Sequence, residues 1–247
     1  MIETVDDAVG IVLSKLKACG LEDDTVIIFT SDNGGVSSGD SYSTGNLPFR
    51  GGKGRQWEGG VRVPMYIRVP GMTKPNSRTR IPAIHMDFYP TILELADLPA
   101  MPGQHADGVS LVPVLKGSTL MSRDLFWHYP HYGNQGGEPS AIIRSGNWKL
   151  IHYYEDGRNE LYNLADDVGE QYNLAETRPE KAFALHKKLN SWLAETGAIF
   201  PCSNPQFDRV KKEKWRKQIC DEKRPALEKK HAAYLSLEWQ PDATPTY

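Results

Sequence analysis

Thr25-Val-Ile-Ile-Phe-Thr-Ser-Asp-Asn-Gly-Gly35 decides how the rest of the chain is read. Its apolar run, 26–29, has the length and β-branched content of a buried strand, and a polar, glycine-rich turn ends it. Upstream, Ile2, Val5, Val9, Val12, Leu13 and Leu16 recur at helical spacing, which predicts an amphipathic helix over 2–18 that stops at Gly20. Helix, short loop and doubly buried strand predict an α/β fold with a mostly parallel sheet. Ligands of such sheets sit beyond the carboxyl ends of the strands, where Asp32, Asn33, Gly34 and Gly35 fall.

Downstream, the polar and glycine-rich stretch 36–47 reads as an active-site loop or a mobile one. A second strand is predicted over 63–70 and a helix near 86–96. After about residue 120 the style changes. Three β-rich runs, 141–145, 148–154 and 160–164, are separated by Gly146-Asn147 and Asp156-Gly157, both hairpin-turn signals. They predict a small antiparallel sheet. A helix over 179–195 should pack on it, with Phe183, Leu185, Leu189, Trp192 and Leu193 on or near one face. From 208 the chain is rich in Lys, Arg and Glu, with Trp215 as an isolated apolar residue, and reads as a solvated helix or a surface extension. The division is 1–120, the C-terminal part of an α/β domain; 121–207, a small subdomain; and 208–247, a charged tail.

With 247 residues, 39% of them hydrophobic, the chain can bury a sizeable core. A formal charge of -2 gives no global field for nucleic acid, and no apolar run is long enough to span a membrane. The N-terminus lacks the basic region of a secretory signal. Cys19, Cys202 and Cys220 stand far apart, with neither metal-ligand spacing nor the even count of a disulfide framework. An amphipathic helix already under way at residue 2, with no capping residue before it, reads as the middle of something longer.

Asp32 and Asn33 could present a carboxylate and an amide oxygen to one hard cation. Asp-Asn-Gly is equally good turn chemistry, and two side chains are too few to complete a calcium shell. Lys53 stands between Gly52 and Gly54, where an anion could approach the backbone and meet an ammonium; a solvated loop lysine fits the same pattern. The stretch lacks the upstream glycine and the Lys-Ser/Thr pair of a nucleotide-binding P-loop. His128 and His131, within Phe126-Trp-His-Tyr-Pro-His-Tyr132, suit sugar stacking and hydrogen bonding, but also an ordinary aromatic strand end. His85 and His105 are lone histidines, and Asp87 reads as a residue that caps or begins a helix.

Taken together, Thr30-Ser-Asp-Asn-Gly-Gly35, Arg50-Gly-Gly-Lys53, Glu58-Gly-Gly-Val-Arg-Val-Pro64, the run 85–96, Asn147-Trp-Lys-Leu-Ile151 and Glu160-Leu-Tyr-Asn-Leu164 resemble the C-terminal half of the formylglycine-dependent sulfatases, in the alkaline-phosphatase superfamily. The resemblance covers about 1–207. It implies the C-terminal part of an alkaline-phosphatase-like sandwich, with Asp32 and Asn33 as two calcium ligands and Lys53 as the lysine that binds the sulfate ester. A hydrated formylglycine, made from Cys or Ser in a Cys/Ser-x-Pro-x-Arg motif, is the nucleophile of such enzymes. No such motif stands in this sequence, and no paired aspartates follow a strand as the family's remaining ligands would. The resemblance therefore implies a C-terminal fragment, inactive by itself, whose calcium site is incomplete and whose formylglycine belongs to an absent N-terminal half. It also implies a sulfated saccharide as substrate, with His128 and His131 near its mouth, and a periplasmic, secreted or lysosome-like location. Two rivals are a non-catalytic remnant that binds glycans and a phosphate or phosphonate ester hydrolase of the same superfamily.

Overall fold

The structure is a computed structural model that describes residues 2–36, 45–133, 135–218, 221, 222, 225, 226 and 229. Most of the predicted active-site loop, 37–44, lies outside them. In chain order the first elements are α1 (Ile2–Ala18), β1 (Ile27–Thr30), α2 (Glu58–Val61), β2 (Met65–Arg68), α3 (Phe88–Leu95) and α4 (Val112–Leu115). There follow β3 (Asp124–Tyr129), β4 (Ser140–Ser145), β5 (Trp148–Tyr153), β6 (Asn159–Asn163), α5 (Pro179–Glu195) and α6 (Arg209–Gln218). They form two compact units: the chain up to Ser31 with Pro64–Ser122, and Asp32–Val63 with the chain from Arg123 onward. The division at 120 groups residues 32–63 with the first part, whereas the contacts group them with the second.

In the first unit α1 ends as its sequence predicts. Gly20, at φ +69°, lets its own N–H reach the Lys17 carbonyl and the Leu21 N–H reach that of Leu16, closing the last turn. The stretch 26–29 does form a strand, but β1 pairs antiparallel with β2, Ile28 opposite Ile67. The α/β class holds, while the pairing among the described residues is antiparallel rather than parallel. Cover is also thinner than expected: β1 is only half-buried, Phe29 is exposed, and no residue of α1 is buried. Asp87 begins α3, as its position predicts, but its side chain caps no N–H of that helix. Its buried carboxylate accepts the N–H groups of Ile84 at 2.9 Å and Val109 at 3.0 Å, which joins the start of α3 to the segment before α4.

The second unit is built on a four-stranded antiparallel sheet in the order β3-β4-β5-β6. Its predicted turns are present, with Gly146 and Gly157 in the left-handed region that glycine adopts without strain. Strand alternation sends Ala141, Ile143, Leu150 and Leu161 to one face, against Ala182, Leu185, Leu189 and Leu193 of α5. Phe126 and Trp192 stack there at 4.8 Å, nearly parallel. Phe183 is exposed: the buried positions recur at three- and four-residue steps from Ala182, and Phe183 lies one residue off that stripe. The opposite face carries Ile142, Ile151, Tyr153 and Tyr162, packed against Trp57. Both faces of this sheet are therefore covered, one by a helix and one by the glycine–lysine segment.

Candidate active site

Because the sheet face opposite α5 meets the 50–62 segment, that segment is held from several points. Arg50 donates through Nη1 to the Tyr162 hydroxyl (3.1 Å) and the Glu170 carbonyl (2.9 Å), and its guanidinium lies 3.8 Å from the Trp57 ring centre. One carboxylate oxygen of Glu160 accepts from Trp57 Nε1, the Tyr153 hydroxyl and the Tyr162 hydroxyl, at 2.9–3.2 Å. Both phenols are pushed above the usual tyrosine range, first by burial and then by the Glu160 charge.

Beside this network lies a buried ion cluster. Lys149 Nζ is 3.1 Å from Glu58 Oε1 and 2.8 Å from Glu170 Oε1, with side-chain exposures of 1, 2 and 0%. Arg144 and Arg62 approach the second Glu58 oxygen at 3.6 and 3.5 Å. Glu170 also accepts the Glu58 N–H at 2.5 Å, capping the short helix α2. Burial pushes the Glu170 carboxyl up from its ordinary value, against the pull of Lys149. Burial likewise lowers Arg144, while Glu58 draws it back. Removing charges from water is costly, so such a cluster is a device for fixing geometry more than a source of stability.

Through Glu58 the cluster adjoins the loop that carries Lys53, which backbone bonds hold in place. The Gly59 N–H bonds to the Arg50 carbonyl (2.9 Å), the Gly34 N–H to that of Gly60 (3.0 Å) and the Lys53 N–H to that of Gly35 (3.0 Å). Asn46 bridges the two stretches, accepting from the Gly35 N–H and donating to the Gly35 and Gly51 carbonyls. Backbone approaches backbone so closely that a Cβ on Gly34 would overlap the Gly59 carbonyl oxygen. Lys53, half-buried, is thus held beside the Asp32-Asn33-Gly34-Gly35 turn.

At that turn Asn33 donates its amide to the Asp32 carboxylate. A carboxylate and an amide oxygen on adjacent residues suit a hard cation, but they supply only part of its shell. Among the described residues no group of three or more His, Cys, Asp or Glu is placed to hold a metal ion.

The two histidines fare differently from each other. His128 uses both ring nitrogens within the fold: Nε2 donates to the Ile199 carbonyl at 3.0 Å, and Nδ1 meets the Tyr154 hydroxyl at 2.8 Å, in a cluster with Phe200. Burial pushes the Tyr154 phenol up to about 12. His131 is exposed, edge-on to Tyr129 at 5.4 Å. His85 Nε2 meets the Ser31 carbonyl, and His105 accepts the Met101 N–H.

Arg50, Glu58, Lys149 and Glu170 were not singled out by sequence reasoning. Arg50, Glu58 and Lys149 did stand inside quoted motifs, Arg50-Gly-Gly-Lys53, Glu58-Gly-Gly and Trp148-Lys149-Leu150, which is the one signal that could have drawn attention to them.

The sulfatase family model matches residues 1–98, and that of the N-sulphoglucosamine sulphohydrolase C-terminal region matches 53–197, which includes Lys53 and the supporting sheet. The chain belongs to the sulfatase family. A sulfatase of Formosa agariphila is 38% identical over 221 residues, covering 80% of this chain and 39% of that protein. Human arylsulfatase A is 31% identical, covering 83% of this chain and 45% of that protein. Among solved structures, Ps i-CgsB in complex with k-i-k-neocarrahexaose superposes with a TM-score of 0.70 at 26% identity, over 87% of this sulfatase chain and 46% of that one. BT4656, in complex with its substrate D-glucosamine-2-N,6-O-disulfate, superposes at 0.65 and 26% identity, over 78% and 39%. The chain thus spans less than half the length of each of these relatives.

Proposed function

We propose that this chain is the lysine-bearing part of a sulfuric ester hydrolase acting on sulfated carbohydrate. The observation that carries the reading is the Lys53 N–H bond to the Gly35 carbonyl, which joins the backbone of a glycine-flanked lysine to the turn that follows Asp32 and Asn33. Lys53 binds the sulfate ester and neutralises the charge that grows on its oxygens in the transition state. Asp32 and Asn33 would hold part of the shell of a calcium ion, which would supply Lewis-acid polarisation of those oxygens. His131, exposed among aromatic rings, contacts the sugar, whereas His128 contributes packing. The family is in general one of metal-dependent, formylglycine-type enzymes. No Cys/Ser-x-Pro-x-Arg motif stands in the 247 residues, so the nucleophile comes from outside them. In keeping with the family, the working protein is periplasmic, secreted or lysosome-like.

The test is hydrolysis of an aryl sulfate. The 247-residue chain with calcium is expected to be inert. The product of the longest open reading frame that contains it is expected to turn over, and Lys53→Ala to lower kcat/KM by about 100-fold or more. Unchanged activity in Lys53→Ala, no turnover by that product, or faster cleavage of the matching aryl phosphate would each overturn the reading.

A further inference from the structure

Helix α6 is left unexplained by the hydrolytic site. Within its ten residues Arg209, Lys211, Lys212, Lys214, Arg216 and Lys217 face a single carboxylate, Glu213, and none of its residues is buried. Trp215 is 59% exposed. The helix is nevertheless fixed. Asp208 caps its first turn by accepting the N–H groups of Val210 (2.9 Å) and Lys211 (3.1 Å). Lys212 pairs with Glu155 beyond the end of β5 and lies over the Phe207 ring. Glu155 in turn accepts from the Tyr132 hydroxyl at 2.6 Å, so the basic helix adjoins the exposed aromatic stretch that holds Tyr129, His131 and Tyr132.

Residues three and four apart on a helix are neighbours, which places Lys211, Lys214 and Trp215 together on one stripe. An indole offers a flat apolar surface with a polar edge, the pairing that a pyranose ring presents, and two flanking ammonium groups suit sulfates on the same sugar. A chain with a formal charge of -2 that gathers cations on one helix has a local field, not a general affinity for polyanions.

We propose that α6 is a docking surface for a sulfated polysaccharide, with Trp215 stacking on a sugar ring and Lys211 and Lys214 pairing with its sulfates. The proposal rests on the reading of the substrate as a sulfated carbohydrate, and gives the same polymer a second contact on an element other than the one that carries Lys53. A polymer held there raises the local concentration of its other esters.

The probe is immobilised dextran sulfate, with dextran and polyglutamate as controls, and the ligand is the 247-residue chain. Binding to dextran sulfate alone is expected, weakening steeply with salt as bound counterions are released. Lys211→Glu with Lys214→Glu should weaken it at least about tenfold near 0.1 M salt and flatten the salt dependence. Trp215→Ala should weaken it without changing that slope. All three side chains are exposed, so folding is preserved, which circular dichroism checks. Unchanged affinity in both helix variants overturns the proposal, as does equal binding to polyglutamate or to duplex DNA. Loss on Lys53→Ala alone would assign the contact to the hydrolytic site, and overturns it too. If the open-reading-frame product cleaves no aryl sulfate yet helix-dependent binding persists, the hydrolase reading fails and the docking surface stands.

Discussion

Replacing Lys149 by methionine removes the charge between Glu58 and Glu170 while keeping most of the volume. At an effective dielectric of about 20, each contact near 3 Å has a gross attraction of roughly 5 kcal/mol, most of which offsets desolvation. Deleting one member of a buried pair costs about 3–5 kcal/mol, because a carboxylate is left without its partner. Arg144 and Arg62 remain near Glu58, and Glu170 keeps the Glu58 N–H, so a loss of about 3 kcal/mol at pH 7 is expected. The pH dependence identifies the cause. Glu170 titrates above its unfolded value because of burial, so above about pH 4.3 the folded state binds more protons than the unfolded one, and stability falls as pH rises. Removing Lys149 takes away the opposing charge and steepens that fall. The deficit should therefore shrink between pH 7 and pH 5. Amide exchange of Leu150 and Ile151 in β5 reports the second unit by itself. A deficit under about 1 kcal/mol at pH 7, or one identical at both pH values, would refute the argument that Lys149 neutralises two buried carboxylates.

Other perturbations test separate parts of the fold. His186 lies 4.4 Å from His152, and its pKa is lowered by burial and then by that neighbour. The unfolded chain thus binds the proton more readily, and stability is lost as pH falls below about 6.5; urea titrations should show a smaller loss for His186→Gln. Leu189, fully buried between α5 and the sheet, should cost about 2–5 kcal/mol when cut to alanine, seen as a lower Tm; a cost near zero would contradict the packing of that face. Gly34→Ala must push the Gly59 carbonyl away, so the Gly34 and Lys53 amides should exchange faster, while those of β5 change little. Unaltered exchange at Lys53 would mean that the two stretches are not joined as described.

Local patterns made much of the fold legible. The 2–18 helix, the Gly20 stop, both hairpin turns and the 179–195 helix are written in short-range chemistry, and each forms where its residues indicate. Strand partners were harder to read. Nothing in 26–29 says that Met65–Arg68 runs antiparallel beside it, because a short apolar run is compatible with either direction. At the site, Lys53, Asp32 and Asn33 were visible as types and spacing, and the backbone bond between Lys53 and Gly35 brings the two stretches together. The supporting residues were not legible. Lys149 sits in a strand between Trp148 and Leu150, where alternation assigns a lysine to solvent, and its carboxylate partners lie far away in sequence. His128 looked available because sequence shows an imidazole but not the carbonyl of Ile199 or the hydroxyl of Tyr154 that occupy its nitrogens.

The wide separation of Lys53's supports in the chain bears on synthesis. Arg50 is tied to Tyr162 and Glu170, 112 and 120 residues later, and the Glu58 N–H to Glu170, 112 later. On the ribosome the glycine–lysine stretch emerges long before the strands that shape it, and at about 5–20 residues per second it waits several seconds or more for them. Loop closure over such distances is slow, so the segment around Lys53 should be among the last to settle. Until then, nascent Trp57 has no sheet to cover, and a chaperone that shields apolar surface has a natural target there.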